Sequence, residues 1–420
     1  MASDMPPSMM QRLRPGWIVA ASTTAVLVAL ICVVAPTRHA VVGLSMAPGL
    51  LPGDVLTSLT PRLRDRGRSP RRFERWLFVA PSGTAGGEIV AVKRVMGLAG
   101  ECVTIADGDL LVDGIRSPAP PDVVAQMASP VWEDGRSGRT VHHGSPGWTS
   151  EGTAWRRDSE GSWRWRPSSA TAGPHGGAAA PMIDWLAYRH RVRDPRRAAD
   201  AVDAFVDSPI LDDAAFAPAE HRRLLPVRDV GIAAVLRVPR TAAPFRSFAR
   251  VGDGGDVRTV AVAASGPTRL AFVAGRLDGH LVAAAWTLPA DAPSEATARS
   301  PLPSFPPRRW SLASPWRKPK TGDPPDGPPV LEFGIAPPVA VESGATVAIE
   351  RLVVWRDVLH RPAEDGSHRW CVDKGRVFVL GDFPPASRDS RHWGPIEAVR
   401  LLNPVDRHEP AAVVREARAP

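Results

Sequence analysis

The sequence predicts a mainly β protein with one apolar N-terminal helix, and three observations lead there. Proline (45) and glycine (36) are abundant in a 420-residue chain that is 44% hydrophobic, a composition of many turns joining short buried runs. Between those turn residues the apolar runs alternate with polar positions, the period of half-buried strands. One run departs from that pattern: residues 17–35, WIVAASTTAVLVALICVVA, carry no charge at all.

That run is the first element. As a helix its 19 residues span about 29 Å, matching a hydrocarbon core of ~30 Å. It is longer than the ~7–15-residue apolar region of a cleaved signal peptide, so it is expected to be a retained transmembrane anchor. Arg12 and Arg14 precede it. The arginine-rich stretch 62–75 begins beyond the ~15–20 residues over which such charges set orientation. Residues 1–16 are therefore expected in the cytoplasm and the rest of the chain exported. The arginine stretch itself reads as a solvated loop, with contact to anionic headgroups as the functional alternative.

Residues 36–116 form the first part of a core, with strands expected in GDVLTSL, ERWLFVA, GEIVAVKRVMGL and ECVTIADGDLLVDG and a hairpin at Asp107-Gly108. Residues 117–365 read as an insertion. Within it, 118–182 are expected to be long loops with brief strands, and 183–285 to hold strands in DVGIAAVLRV, VRTVAVAA, RLAFVAG and HLVAAAWTL. The last two are joined by a tight LDGH turn. The proline-laden stretch 289–330 reads as an extended linker, after which VESGATVAIERLVVWRDVLHR resumes as strand. Residues 366–405 complete the core and 406–420 are expected to be a loose tail.

The net charge of +8 comes almost wholly from arginine, since lysine occurs only at 93, 318, 320 and 374. No recognition helix, zinc knuckle or base-stacking motif accompanies the charge, so no nucleic-acid partner is expected. Cys32, Cys102 and Cys371 lack CxxC spacing and His142-His143 lacks a third ligand at useful spacing, so no metal is expected. Whether Cys102 and Cys371 pair is left open by the sequence. Of 14 tryptophans, 11 fall between positions 132 and 370. They are expected to fill the core of a β module, with sugar stacking as the alternative.

Three patches could carry chemistry. GLSMAPGL (43–50) places Ser45 soon after the anchor. EIVAVKRVMGL places Lys93 in a strand, on the face opposite Val92 and Arg94. If that face is inward, desolvation lowers the amine's pKa and lets it take a proton from a hydroxyl near neutral pH. The other possibility is that Lys93 faces solvent and Arg94 faces in. GDFPPASRDSRHWG (381–394) supplies Asp382, Ser387, Asp389, Ser390 and Arg391. A Ser45–His392–Asp389 triad is a competing arrangement, but it leaves the lysine patch unexplained.

Together these patches resemble bacterial type I signal peptidase, a membrane-anchored Ser–Lys protease. GLSMAPGL resembles its Ser-Met-x-Pro segment, VKRVMGLAGE its Lys-Arg-Val-x-Gly-Leu-Pro-Gly-Asp segment, and the third patch its Gly-Asp-Asn segment with Ser-x-Asp-Ser-Arg and Trp-Gly. They occur in the family's order, over roughly residues 17–116 and 370–396. The resemblance implies a β-barrel-like catalytic core, Ser45 as nucleophile and Lys93 as general base. It implies that Ser387 holds the amine, that Asp389 and Arg391 form an ion pair, and that Ser390 and Asp382 support the site. Met46 is expected to contact substrate, and Gly43 stands where some members carry an oxyanion-stabilising serine. The resemblance further implies signal peptides of exported preproteins as substrates, membrane lipid and the export machinery as partners, and no cofactor. Gly49 replaces a usual threonine, Ala99 a proline, Phe383 an asparagine and Glu101 an aspartate. The inserted strands loosely resemble a laminin-G or concanavalin-like sandwich found in planctomycete-type members. The departures motivate an alternative, an inactive anchored binding protein on the same scaffold.

Overall fold

The structure is a computed structural model describing residues 37–58, 68–81, 89–116, 118–134, 147–150, 152–159, 161–166, 183–194, 196–197, 205–213, 222–238, 245–253, 256–264, 268–289, 300, 302–303, 309–310, 312–315, 329–336, 346–405 and 408–409. The expected anchor at 17–35 and the His142-His143 pair lie outside them. Among the described residues no helix is long and apolar enough to cross a membrane. The chain is mainly β, as expected.

Residues on either side of the expected insertion build three sheets. The five-stranded one runs in the order Ile396–Glu397, Arg376–Leu380, Val90–Gly97, Arg75–Val79, Leu401–Pro404. A four-stranded sheet runs Arg369–Cys371, Cys102–Ala106, Asp109–Val112, Ile115–Arg116. The third joins Thr37–Ala40, Val55–Ser58 and His408–Glu409, so the stretch expected to be a loose tail still supplies a paired strand. Each sheet thus takes strands from both ends of the chain. A disulfide between Cys102 and Cys371, cross-strand partners 269 residues apart, fastens the two halves.

The stretch between carries two larger sheets. One has eight strands, ordered Trp155–Arg157, Trp163–Trp165, Val347–Arg356, Val230–Val238, Thr268–Leu277, His280–Thr287, Leu312–Pro315, with Ser129–Asp134 also paired to Val347–Arg356. The other is ordered Asp256–Ala264, Phe245–Asp253, Val330–Ala336, Asp184–Tyr188, Trp148–Ser150. Their facing residues form one buried cluster, in which Phe272 of the first meets Phe333 of the second at 5.6 Å between ring centroids. Trp132, Trp148, Trp155, Trp163 and Trp165 lie in that cluster, each at most 8% exposed, which is the packing role expected of them.

Alternate residues of the eight-stranded sheet face the other way. Ala233, Val273, Val282, Val353 and Trp355 pack against Val123, Val124 and Met127 of a helix spanning Pro121–Met127. Burial on both faces explains why VGIAAVLRV is almost unbroken in its apolarity. The helix falls where the sequence predicts only loops and brief strands. Its proline sits in the first turn, where no N–H partner is lost, but seven residues are too few for a clear helical period. The linker expected at 289–330 is also partly structured. Leu302 is buried, Leu312–Pro315 joins a sheet, and the Trp310 indole donates to Ala119 O at 2.9 Å.

Both expected hairpins form. Asp107-Gly108 and Asp278-Gly279 turn with positive φ at both residues (55° and 89°; 46° and 72°), the geometry that matches strand twist in a two-residue turn.

Candidate active site

Ser45 lies in a tight turn after the first strand. The turn is held by Ala47 N–H to Leu44 O and Leu50 N–H to Met46 O, both 2.9 Å. Met46 is 1% exposed and packs with Val41, Leu50, Leu56 and Leu77. Its side chain therefore anchors the turn in the core and presents no surface for the substrate contact expected of it. Ser45 remains partly open, and Gly43 is exposed.

Lys93 reaches this turn from the middle strand of the five-stranded sheet. Its Nζ donates to Ser45 Oγ at 2.6 Å and to Val92 O at 3.1 Å. The side chain is 4% exposed. Arg94 next to it is 1% exposed, so the two alternatives for this strand are both inward. From Lys93 onward both faces of the strand are covered, and simple alternation no longer separates core from solvent. Burial lowers the Lys93 amine to about 8, against the opposing pull of Asp389 and Asp382.

Arg94 is held by Asp382 through two hydrogen bonds, Nε to Oδ1 at 2.8 Å and Nη2 to Oδ2 at 2.6 Å. It also donates to Phe73 O at 2.7 Å, and lies 3.4 Å from Gln126 Oε1. A second buried pair joins Arg391 to Asp389, Nε to Oδ1 at 2.8 Å and Nη2 to Oδ2 at 2.9 Å. Asp389 also accepts from Gly381 N–H and caps the Ser390–Trp393 helix. These donors hold its carboxyl below the ordinary value despite complete burial. The expected ion pair is present, and its partner network is wider than the sequence indicates.

Ser387 behaves differently from expectation. Its hydroxyl donates to Asp389 Oδ2 at 2.7 Å, because a buried carboxylate offers only acceptors. The hydrogen bonds of Lys93 go instead to Ser45 and Val92. Ser390, whose part the sequence leaves open, accepts from Val379 N–H at 3.0 Å and ties helix to strand. His392 Nδ1 accepts from Asp389 N–H at 3.4 Å as part of the same cap. The histidine of the competing triad is thus a capping residue, and the group within hydrogen-bond reach of Ser45 Oγ is the Lys93 amine.

Two departures acquire physical reasons. Phe383 packs against Ala47 beneath the serine turn, with Leu44 and Leu51 alongside, while its N–H donates to Ser45 O at 3.0 Å. Gly49 faces the Pro121–Met127 helix, and a Cβ there would lie 2.3 Å from Gln126 O. A threonine cannot fit where that carbonyl sits. Gly381 is similarly confined: a Cβ would lie 2.2 Å from Ser387 Oγ and 2.5 Å from Ser45 O. Sequence reasoning misses Arg94 and Gln126, and only the neighbouring motif hinted at the first. In the arginine-rich stretch, Arg68 pairs with Glu74 and Arg72 with Glu101, so the described part is bound to the fold and is not a free solvated loop.

Residues 14–143 and 348–407 match the family model of signal peptidase, peptidase S26. The match covers less than half of the chain and skips 144–347, the stretch that holds most of the two larger sheets. It includes Ser45, Lys93 and the whole 381–394 segment. No curated protein matches the chain.

Proposed function

We propose that this chain is a membrane-anchored signal peptidase I that removes signal peptides from exported preproteins. The observation that carries the reading is the buried, lowered-pKa amine of Lys93 2.6 Å from the Ser45 hydroxyl. Support comes from the family match across the same segments.

In this reading the neutral amine accepts the Ser45 proton while Oγ attacks the carbonyl after the last signal-peptide residue. The amine's hydrogen bond to Val92 O orients its lone pair toward Ser45. The Ser45 N–H donates to the developing oxyanion, and the protonated amine then gives its proton to the leaving nitrogen. Water, deprotonated by the same lysine, releases the acyl-enzyme. The signal peptide lies as an extended strand, with small side chains near the cut. The inserted stretch is a β-sandwich, residues 17–35 anchor the enzyme in the cytoplasmic membrane, and catalysis takes place on the extracytoplasmic side. Lipid and the export machinery are its neighbours there.

The test is cleavage of a preprotein by the detergent-solubilised chain. Ser45→Ala and Lys93→Met are expected to reduce kcat/KM at least about 10³-fold. Wild-type activity is expected to rise about tenfold per pH unit below a value near 8 and to level above it, because only the neutral amine acts as base. Absence of cleavage by the wild type across that range refutes the proposal, and so does full activity of Lys93→Met.

A further inference from the structure

The helix Pro121–Met127 is seated on the eight-stranded sheet but also reaches the Ser45 site. Val123, Val124 and Met127 pack with Val273, Val353 and Trp355 of that sheet. Just ahead of the helix, the Trp310 indole donates to Ala119 O at 2.9 Å. Gln126, in its last turn, instead meets the strand of Lys93 and the turn of Ser45. It lies outside the three segments that carry the site.

The Arg94 guanidinium shows what the Gln126 side chain supplies. It has five N–H donors and is 1% exposed, so water is not there to accept from them. Asp382 accepts from Nε at 2.8 Å and from Nη2 at 2.6 Å, and Phe73 O accepts from Nη1 at 2.7 Å. The two donors that remain, one on each Nη, share Gln126 Oε1 at 3.4 and 3.5 Å. The amide is set with its oxygen toward Arg94, because its Nε2 donates to Asp122 O at 3.0 Å. Without Gln126, two buried donors lose their acceptor, a cost relieved only by moving Arg94 or admitting water.

The backbone of Gln126 makes a separate contact. Its carbonyl oxygen lies 2.3 Å from where a Cβ at Gly49 would stand. Gly49 precedes Leu50, whose N–H closes the Ser45 turn onto Met46 O at 2.9 Å. Arg94 follows Lys93 in the chain, and Asp382 precedes Phe383, whose N–H donates to Ser45 O at 3.0 Å. One helix residue therefore bears on the Ser45 turn directly, on the Lys93 strand through Arg94, and on the 381–394 segment through Asp382. Phe73 packs both with the cluster of the helix and with that of Met96, Phe378 and Leu380, which seats the helix against the same strand.

We propose that Gln126 is a positioning residue for the Ser45–Lys93 pair, and that through it the packing of the eight-stranded sheet bears on the rate of cleavage. The effect on rate rests on the peptidase reading; the positioning of the pair does not.

The test compares the full chain in detergent with Gln126→Met, which keeps the volume and removes both acceptor and donor. Its kcat is expected to fall at least about 10-fold with KM within about twofold, since a misplacement of about 1 Å can cost about 10²-fold. The midpoint of the pH profile is expected to rise from near 8 toward 10.5. Water admitted to Lys93 relieves its desolvation, while Asp389, Asp382 and Arg391, the charges acting on it, stay in place. Gln126→Glu, which keeps an acceptor for Arg94, is expected to recover most of the lost kcat. The same midpoint is read without cleavage from lysine labelled with 13C at Cε. Lysine occurs only at 93, 318, 320 and 374, so the signal lost in Lys93→Met assigns it. An unchanged Lys93 midpoint in Gln126→Met overturns the proposal, even where Tm falls, and so does a raised KM at unchanged kcat. If Gln126→Met does not fold, Gly49→Ala, which presses on the same carbonyl from the turn, is read in the same way. If the wild type does not cleave, the peptidase reading fails, and the Lys93 midpoint alone decides the positioning.

Discussion

The sheets around Ser45 enclose buried charged groups beside their apolar packing, whereas the core between the two larger sheets is almost wholly apolar. That shared core is built from residues such as Trp165, Phe272, Phe333 and Ile349. Around Ser45 the buried set includes Lys93, Arg94, Asp382, Ser387, Asp389, Ser390 and Arg391, each below 9% exposure. Both arginines have bidentate carboxylate partners, whereas among the described residues Lys93 donates to neutral groups, Ser45 Oγ and Val92 O. An apolar core loses stability in proportion to what is removed, while a polar core fails when one partner of a pair goes.

The largest difference is expected from breaking a pair. Arg391→Ala leaves Asp389 charged and wholly buried, and is expected to cost about 3–5 kcal/mol in urea unfolding. Ile349→Val in the apolar core should cost only ~0.5–1.5 kcal/mol. Equal costs would erase the contrast.

Lys93→Met sharpens it by changing sign. The folded value of about 8 lies below the ordinary lysine value of 10.5, so the folded chain binds fewer protons between those limits. Stability consequently rises with pH from about 8 to about 10.5, and the full penalty of the buried amine applies below 8. Removing the amine is expected to stabilise the fold by up to about 3 kcal/mol at pH 7 while abolishing cleavage. A Lys93→Met protein that is less stable than wild type at pH 7 would show that the amine is not under this strain.

Gly49→Ala probes the contact between the regions. The added Cβ meets Gln126 O, and a loss of ~1–3 kcal/mol is expected, with slower cleavage because the serine turn shifts. The smallest structural effect belongs to Gly43→Ser. A Cβ at Gly43 has no atom within 4 Å, so stability should stay within ~0.5 kcal/mol. The new hydroxyl is expected to raise kcat by donating to the oxyanion; a drop in kcat at unchanged Tm would place that side chain in the path of the substrate.

Much of the local structure was legible from residue order. Strands appear where apolar residues alternate, and the Asp107-Gly108 and Asp278-Gly279 turns were marked by residues that tolerate positive φ. The Pro121–Met127 helix and the strand Leu312–Pro315 were not, since one is too short for a helical period and the other sits among prolines. At the site, Ser45, Lys93 and the Asp389–Arg391 pair stood out by motif. Arg94's bond to Asp382, Ser387's preference for Asp389 and the burial of Met46 did not.

Residue order accounts for most of the strands, the two Asp-Gly turns and the identity of the groups that could react, because those depend on neighbours a few residues apart. Tertiary structure alone decided what those groups are worth. Folding brings Lys93 to Ser45 across 48 residues, Cys102 to Cys371 across 269 and Arg94 to Asp382 across 288. Desolvation, which lowers Lys93 and raises the buried Asp229, arises only once distant sheets exclude water from them. Gly49 shows the same division. In the sequence it is a missing threonine, and in the fold it is the space that admits a helix carbonyl.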